Sequence, residues 1–318
     1  MKVTKQMHNK ELQGSYDIMK FSSRLLMNDF GIRMLNANTK RSKGKNIEGL
    51  QCEEKYIPSR NGGPDIRIRI FKPLNTNGTL PGMLYIHGGG YMLGSPEEFM
   101  PVIKKLIDTK PCVVVAPDYR KAVDAPYPAA FNDCYDTLLW LNENVNQLHI
   151  LPKKLIVTGH SSGGGLTAAI TLKATDTNDV KIAFQMPIYP MLDDRQNTVS
   201  AIDNNSAGWN AKSNKLGWSK YVGHLREIPH YAAPARAKNY SKLPPTISFV
   251  GDLEPFRDET IEYVKNIEKN GIPVLFKLYP GCYHAFEILF PKLEISKDAW
   301  QFLLSSYASF MDKYVYEK

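Results

Sequence analysis

The chain has 318 residues, 43% of them hydrophobic, which is enough for one large α/β domain with an appended segment. Its 40 basic and 32 acidic side chains leave a net charge of +8, and no nucleic-acid motif accompanies that modest excess. No apolar run is long enough for a membrane helix, no Cys or Cys/His spacing suits a metal, and no repeat or low-complexity tract occurs, so these classes are excluded.

The opening residues, Met1 to Lys10, are polar, without a secretory pattern. Cys52, Cys112, Cys134 and Cys282 are scattered, and we expect reduced thiols in a cytosolic protein. Residues 1–48 read as helix and loop, with Tyr16, Met19, Leu25, Leu26, Phe30 and Leu35 forming a loose apolar stripe. The basic run Lys40-Arg41-Ser42-Lys43-Gly44-Lys45 lacks interleaved aromatics and reads as a solvated loop. Strand signals follow. Lys55 to Pro58 precedes a turn at 61–64, and Ile66-Arg67-Ile68-Arg69-Ile70 alternates strictly, which predicts a half-buried strand. Met83 to His87, Cys112 to Ala116, Leu155 to Thr158, Ile182 to Ile188, Thr246 to Val250 and Val274 to Leu278 are short apolar runs, as in strands covered on both faces. Helical stretches at Glu97 to Leu106, Ala129 to Asn144 and Gly164 to Leu172 separate them. That rhythm argues for a mostly parallel, doubly wound sheet. From about 191 to 235 the rhythm breaks, and the interval holds Trp209, Trp218, Tyr221 and His224. Such an insertion either covers a cleft or is a helical excursion whose aromatics serve a core.

Gly159-His160-Ser161-Ser162-Gly163 reads G-x-S-x-G between a strand and a helix. That setting lets a tight turn lift the Ser161 hydroxyl clear of the sheet as a nucleophile. A nucleophilic serine needs a base, an acid to orient the base, and donors for an oxyanion. The donors would come from His87-Gly88-Gly89-Gly90, where glycines let backbone N–H groups approach a substrate oxygen. His87 itself reads as structural. Among the carboxylates after the strand at 246–250, Asp258 and Glu259 suit the first turn of the next helix. Asp252 and Glu254 both remain as candidate acids. His284, in a loop after the last strand, is the candidate base, since it comes last in the order Ser, acid, His.

These residues resemble the hormone-sensitive-lipase-like family of α/β-hydrolase esterases, which includes arylacetamide deacetylases. His87-Gly88-Gly89-Gly90-Tyr91 matches H-G-G-G-[aromatic]. Asp118-Tyr119-Arg120, Tyr127-Pro128-Ala129-Ala130 and Asp133 match D-Y-R…[aromatic]-P-A-A…D. Tyr189-Pro190-Met191-Leu192-Asp193 resembles Y-P-x-L-D, and His284-Ala285-Phe286 matches H-G-F. Glu254-Pro255-Phe256-Arg257-Asp258-Glu259 aligns without gaps on D-P-L-R-D-E, which points to Glu254 as the triad acid, with Glu in place of Asp. Two further departures are His160-Ser161-Ser162 in place of D-S-A, and Ala285 in place of Gly.

The resemblance implies an α/β-hydrolase fold with an eight-stranded sheet flanked by helices. Residues 49–190 and 236–318 would form its core, and 1–48 and 191–235 a helical cap. It implies a carboxylic ester hydrolase with Ser161, Glu254 and His284 as triad, Gly89, Gly90 and Ser162 as oxyanion donors, and no cofactor or metal. The substrate expected is a small short-acyl ester. Tyr91, His160, Trp209 and Trp218 are candidate pocket residues. No nucleic-acid partner and no membrane insertion are expected, and a homodimer stays open. An amidase or deacetylase would use the same triad. A ligand-binding homologue would have lost a triad member, and here Ser161 and His284 are both present.

Overall fold

The computed structural model describes residues 1–75 and 78–317. Strands β1 (Leu50–Ile57), β2 (Ile66–Pro73), β3 (Leu80–Ile86), β4 (Val113–Pro117), β5 (Ile150–His160), β6 (Ile182–Ile188), β7 (Thr246–Gly251) and β8 (Val274–Tyr279) form one sheet in the order β1-β2-β4-β3-β5-β6-β7-β8. β2 is antiparallel to both β1 and β4, and every pairing from β4 onward is parallel. This is the mostly parallel eight-stranded sheet of the α/β-hydrolase fold. The helices are α1 (Tyr16–Leu26), α2 (Asp29–Lys40), α3 (Met100–Thr109), α4 (Ala129–Glu143), α5 (Ser162–Thr177), α6 (Ala211–Val222), α7 (Arg257–Lys269), α8 (Phe286–Leu289) and α9 (Glu294–Phe310).

Helices cover both faces, and this explains the apolar runs. In β4, Val113 and Val115 pack with Leu84, Ile86, Leu138 of α4 and Ile170 of α5, while Val114 and Ala116 pack with Ile103 of α3 and Leu303 of α9. Both side-chain sets of one strand are thus removed from water, so no polar alternation is visible in its sequence. At the exposed edge the reverse holds. β1 begins at Leu50 rather than Lys55, because its outward residues Gln51, Glu53 and Glu54 disguise a strand whose eight positions all pair with β2. Between β6 and β7, residues 191–235 hold only α6 and a single 3₁₀ turn at Pro234–Arg236.

The alternating segment in β2 is not half-buried, as its pattern predicts. Arg67 and Arg69 are 8% and 1% exposed. Both bind the buried Glu97: Arg67 Nη2 donates to its Oε1 at 2.5 Å and Arg69 Nη1 at 2.9 Å. Glu54 takes a second bond from Arg67 at 2.7 Å, and the Gly44 N–H donates to Glu97 at 3.0 Å. Burial pushes the Glu97 carboxyl up, but Arg67 and the Gly44 N–H outweigh it and hold the group below its usual range. The basic run is therefore partly engaged, since Lys43 also pairs with Asp118 at 2.5 Å. Alternation reports two faces; it does not report whether the polar face meets water or buried counter-charges.

Glu97→Ala would leave two buried guanidiniums short of their shared partner. It should cost about 3–5 kcal/mol of unfolding free energy in urea titrations. Glu53→Ala, exposed on β1, should stay within about 0.5 kcal/mol of the parent.

Candidate active site

The parallel strands deliver the candidate groups to one edge of the sheet, beyond their carboxyl ends. β3 runs into the glycines at 88–90, β5 into Ser161, β7 into Glu254 and β8 into His284.

Ser161 joins β5 directly to α5 with φ 59° and ψ −122°. This conformation is costly for a residue bearing a Cβ, and the surroundings enforce it. The Ser161 N–H donates to Ile188 O at 3.0 Å, and its carbonyl accepts from Gly165 at 2.9 Å and Met191 at 3.1 Å. The two glycines of the motif are steric necessities. A Cβ on Gly163 would lie 2.1 Å from Ile86 O, and one on Gly159 2.5 Å from the same oxygen.

Around the serine, three side chains form a hydrogen-bonded chain. His284 Nε2 lies 2.9 Å from Ser161 Oγ. His284 Nδ1 is hydrogen-bonded to Glu254 Oε2, and Glu254 Oε1 accepts the Gly251 N–H at 2.9 Å. Glu254 is fully buried, and Ser161 and His284 nearly so. Asp252 goes elsewhere. Its Oδ1 accepts the Gly281 N–H at 2.7 Å, bracing the loop that carries His284, and burial raises its carboxyl. Glu259 lies in the first turn of α7 as expected, but it does not face water there: it is buried and accepts the Leu192 N–H at 2.7 Å. Burial raises its carboxyl well above the usual range.

The glycine loop is equally constrained. Gly89 and Gly90 have φ of +130° and +61°, and a Cβ there would lie 2.2 Å from Leu93 O and 2.1 Å from the Trp209 ring respectively. Among the described residues no protein acceptor takes either N–H. Ser162 begins α5, so its N–H has no partner within the helix. His87 anchors the loop: it stacks on Tyr119 at 4.1 Å, Nδ1 donates to Gly88 O at 2.8 Å, and Nε2 accepts from the Lys121 ammonium at 3.1 Å. Burial, then Lys121, hold this imidazole well below its ordinary pKa, so it is neutral.

Of the four expected pocket residues, the structure sets only Trp209 beside the triad, with its ring 6.4 Å from His284. Tyr91 and Trp218 are instead buried in an aromatic cluster. Tyr91 stacks on Tyr221 of α6 at 3.9 Å, approaches Trp218 at 5.5 Å, and donates its hydroxyl to Met191 O. The positive φ of 63° at Tyr91 marks the sharp turn that sends its ring toward α6. His160 lies buried behind the turn with Nδ1 2.8 Å from the Tyr85 hydroxyl; burial, then His284, push its pKa down to about 3. Two residues without an expected role hold the imidazole of His284. Tyr189 meets it edge-to-face at 4.7 Å and Phe256 at 5.0 Å. Both lie inside quoted motifs, but a motif does not reveal which ring packs on which.

Behind Tyr189 sits Glu287, fully buried, whose Oε1 accepts the Tyr189 hydroxyl at 2.5 Å. Burial raises its carboxyl to about 8. The folded chain therefore keeps this proton up to about pH 8, whereas the unfolded chain releases it near the ordinary carboxyl value. Stability must then fall as pH rises between those values, by up to about 1.4 kcal/mol per pH unit. Glu287→Gln removes that slope. Its melting temperature relative to the parent should shift in the variant's favour from pH 5 to pH 8, and an unchanged difference would contradict the assignment.

The model for the alpha/beta hydrolase fold family matches residues 83–288. The chain is 30% identical over 229 residues to an arylesterase of Saccharolobus solfataricus, covering 70% of this chain and 73% of the relative. It is 32% identical over 247 residues to the esterase LipI of Mycobacterium tuberculosis, covering 72% and 77%. Among solved structures, a bacterial heroin esterase superposes with a TM-score of 0.87 at 30% identity, covering 97% of this chain and 99% of that one. With the sheet order, the motifs and these relatives together, the chain belongs to the α/β-hydrolase family, among its hormone-sensitive-lipase-like esterases.

Proposed function

We propose that the chain is a serine carboxylesterase for small, short-acyl esters. The observation that carries this reading is the unbroken chain from Ser161 Oγ through His284 to Glu254. Ser161 attacks the ester carbonyl while His284 Nε2 takes its proton. Glu254 holds Nδ1–H in place, which keeps Nε2 free to accept, and stabilises the imidazolium. The N–H groups of Gly89, Gly90 and Ser162 receive the oxyanion. His284 then protonates the leaving alcohol, and water hydrolyses the acyl-enzyme by the same route reversed. No step needs a cofactor or metal.

Residues 1–48 and 191–235 act as a cap over this site. In support, Asp29 of α2 pairs with Lys220 of α6 at 2.8 Å, and Trp209 touches both the glycine loop and His284. A cavity of about 210 Å³ beside the glycine loop, lined by Leu35, Leu93 and Phe99 together with the polar Asn38, Thr39 and Glu98, has room for a short acyl group. The cysteines are free among the described residues, in keeping with a cytosolic setting. Among the same residues no helix is long and apolar enough to cross a membrane.

Three substitutions test the chemistry on one soluble acetyl ester. Ser161→Ala should fold normally and lose at least about 10⁴-fold in kcat. Glu254→Gln should lose about 10²–10⁴-fold with little change in Tm. Asp252→Asn should stay within about tenfold, since its carboxylate braces Gly281 rather than His284. The reverse ranking of the last two would exchange their roles.

Chain-length preference tests the cavity. Rates on p-nitrophenyl esters should peak at about two to six acyl carbons and show no activation at an emulsion interface. Faster turnover of emulsified long-chain triglycerides than of soluble acetyl esters would refute the short-acyl assignment.

A further inference from the structure

The outer surface of α1 and α2 is unlike the rest of the molecule. Ile18, Phe21 and Leu25 follow one another at helical spacing on α1, as do Phe30 and Met34 on α2, and all five are 49–77% exposed. Soluble chains seldom show water so many large apolar side chains on two successive helices. The same segment concentrates positive charge: residues 1–48 carry ten basic and four acidic side chains, in a chain whose net charge is +8. The acids of the two helices are already engaged, Asp17 by Lys5 at 2.7 Å and Asp29 by Lys220 at 2.8 Å. Arg24, Arg33 and Lys40 make no ion pair among the described residues, and the basic run continues past α2 through Arg41 and Lys45. A second copy docked here about a two-fold axis would oppose two such positive faces, at an electrostatic cost. An occupant that is both apolar and anionic satisfies both features.

We propose that this face binds an anionic lipid surface, into which Phe21, Leu25 and Phe30 dip while Arg24, Arg33 and Lys40 meet the headgroups. This is adsorption in the plane of the interface, with no spanning segment. It does not depend on the esterase reading.

The test is co-sedimentation of the full chain with phosphatidylcholine vesicles, with and without about 30% phosphatidylglycerol. Binding should be at least about tenfold stronger to the anionic vesicles and largely lost in about 0.5 M salt. Leu25→Ser/Phe30→Ser should lose about tenfold or more in binding through the apolar contacts, and Arg33→Gln/Lys40→Gln should weaken it and flatten its salt dependence. Both double variants should keep the parental melting temperature, because every altered side chain is exposed. Equal binding to neutral and anionic vesicles, no binding, or binding indifferent to both variants would overturn the proposal. So would a dimer in sedimentation velocity that Leu25→Ser/Phe30→Ser converts to monomer, since that assigns the face to a second copy.

Discussion

The turn at residues 159–163 joins β5 to α5 without any side chain in its path, and the carboxyl edge of the sheet is organised around that join. Because Gly163 approaches Ile86 O so closely, α5 begins pressed against the end of β3, where the glycine loop starts. Because Ser161 donates to Ile188 O and accepts from Met191, the end of β6 is tied to the same turn. The backbone strain at Ser161 is of the order of 1–3 kcal/mol, and these neighbours over-determine it. A serine at that turn is held in one place by backbone alone, before any side chain contributes.

The imidazole of His284 has no such backbone determinism, since it sits in the loop after β8. Its position depends on packing. Tyr189 and Phe256 close on the ring edge-to-face, Glu254 binds Nδ1, and Asp252 restrains the loop through Gly281. Two of these supports are themselves braced by buried carboxyl-bearing side chains or their segments: Tyr189 by Glu287, and the strand-to-helix segment holding Glu254 by Glu259, which binds the Leu192 N–H. Neither carboxyl has a cation beside it among the described hydrogen bonds and ion pairs, and burial raises both. Unpaired buried carboxyls cost stability, and here that cost falls directly behind the candidate site.

How much of this is legible in the sequence depends on which force shapes each residue. Central strands such as Val113–Pro117 are readable because burial on both faces demands an unbroken apolar run. Edge strand β1 is half-hidden because water tolerates almost any outward residue. Arg67 and Arg69 mislead because a solvated and a buried ionic face share one alternating pattern. At the site, Ser161, Glu254 and His284 can be proposed from motif order, and the fold brings them within hydrogen-bonding range. Tyr91 and Trp218 turn into a buried aromatic cluster with Tyr221, because neither a place next to the glycine loop nor one in the inserted segment says where a ring turns. Glu287 goes unnoticed because no spacing rule marks a carboxyl that is alone and buried.

The central claim is that Ser161, and no other side chain, carries the acyl group during turnover. A fluorophosphonate that mimics the tetrahedral intermediate measures this directly, with the modified residue located by peptide mass spectrometry. The account predicts one adduct, on the peptide bearing Ser161, formed in step with the loss of esterase activity and absent from Ser161→Ala. Full loss of activity with the adduct on another residue, or labelling that persists in Ser161→Ala, would contradict it.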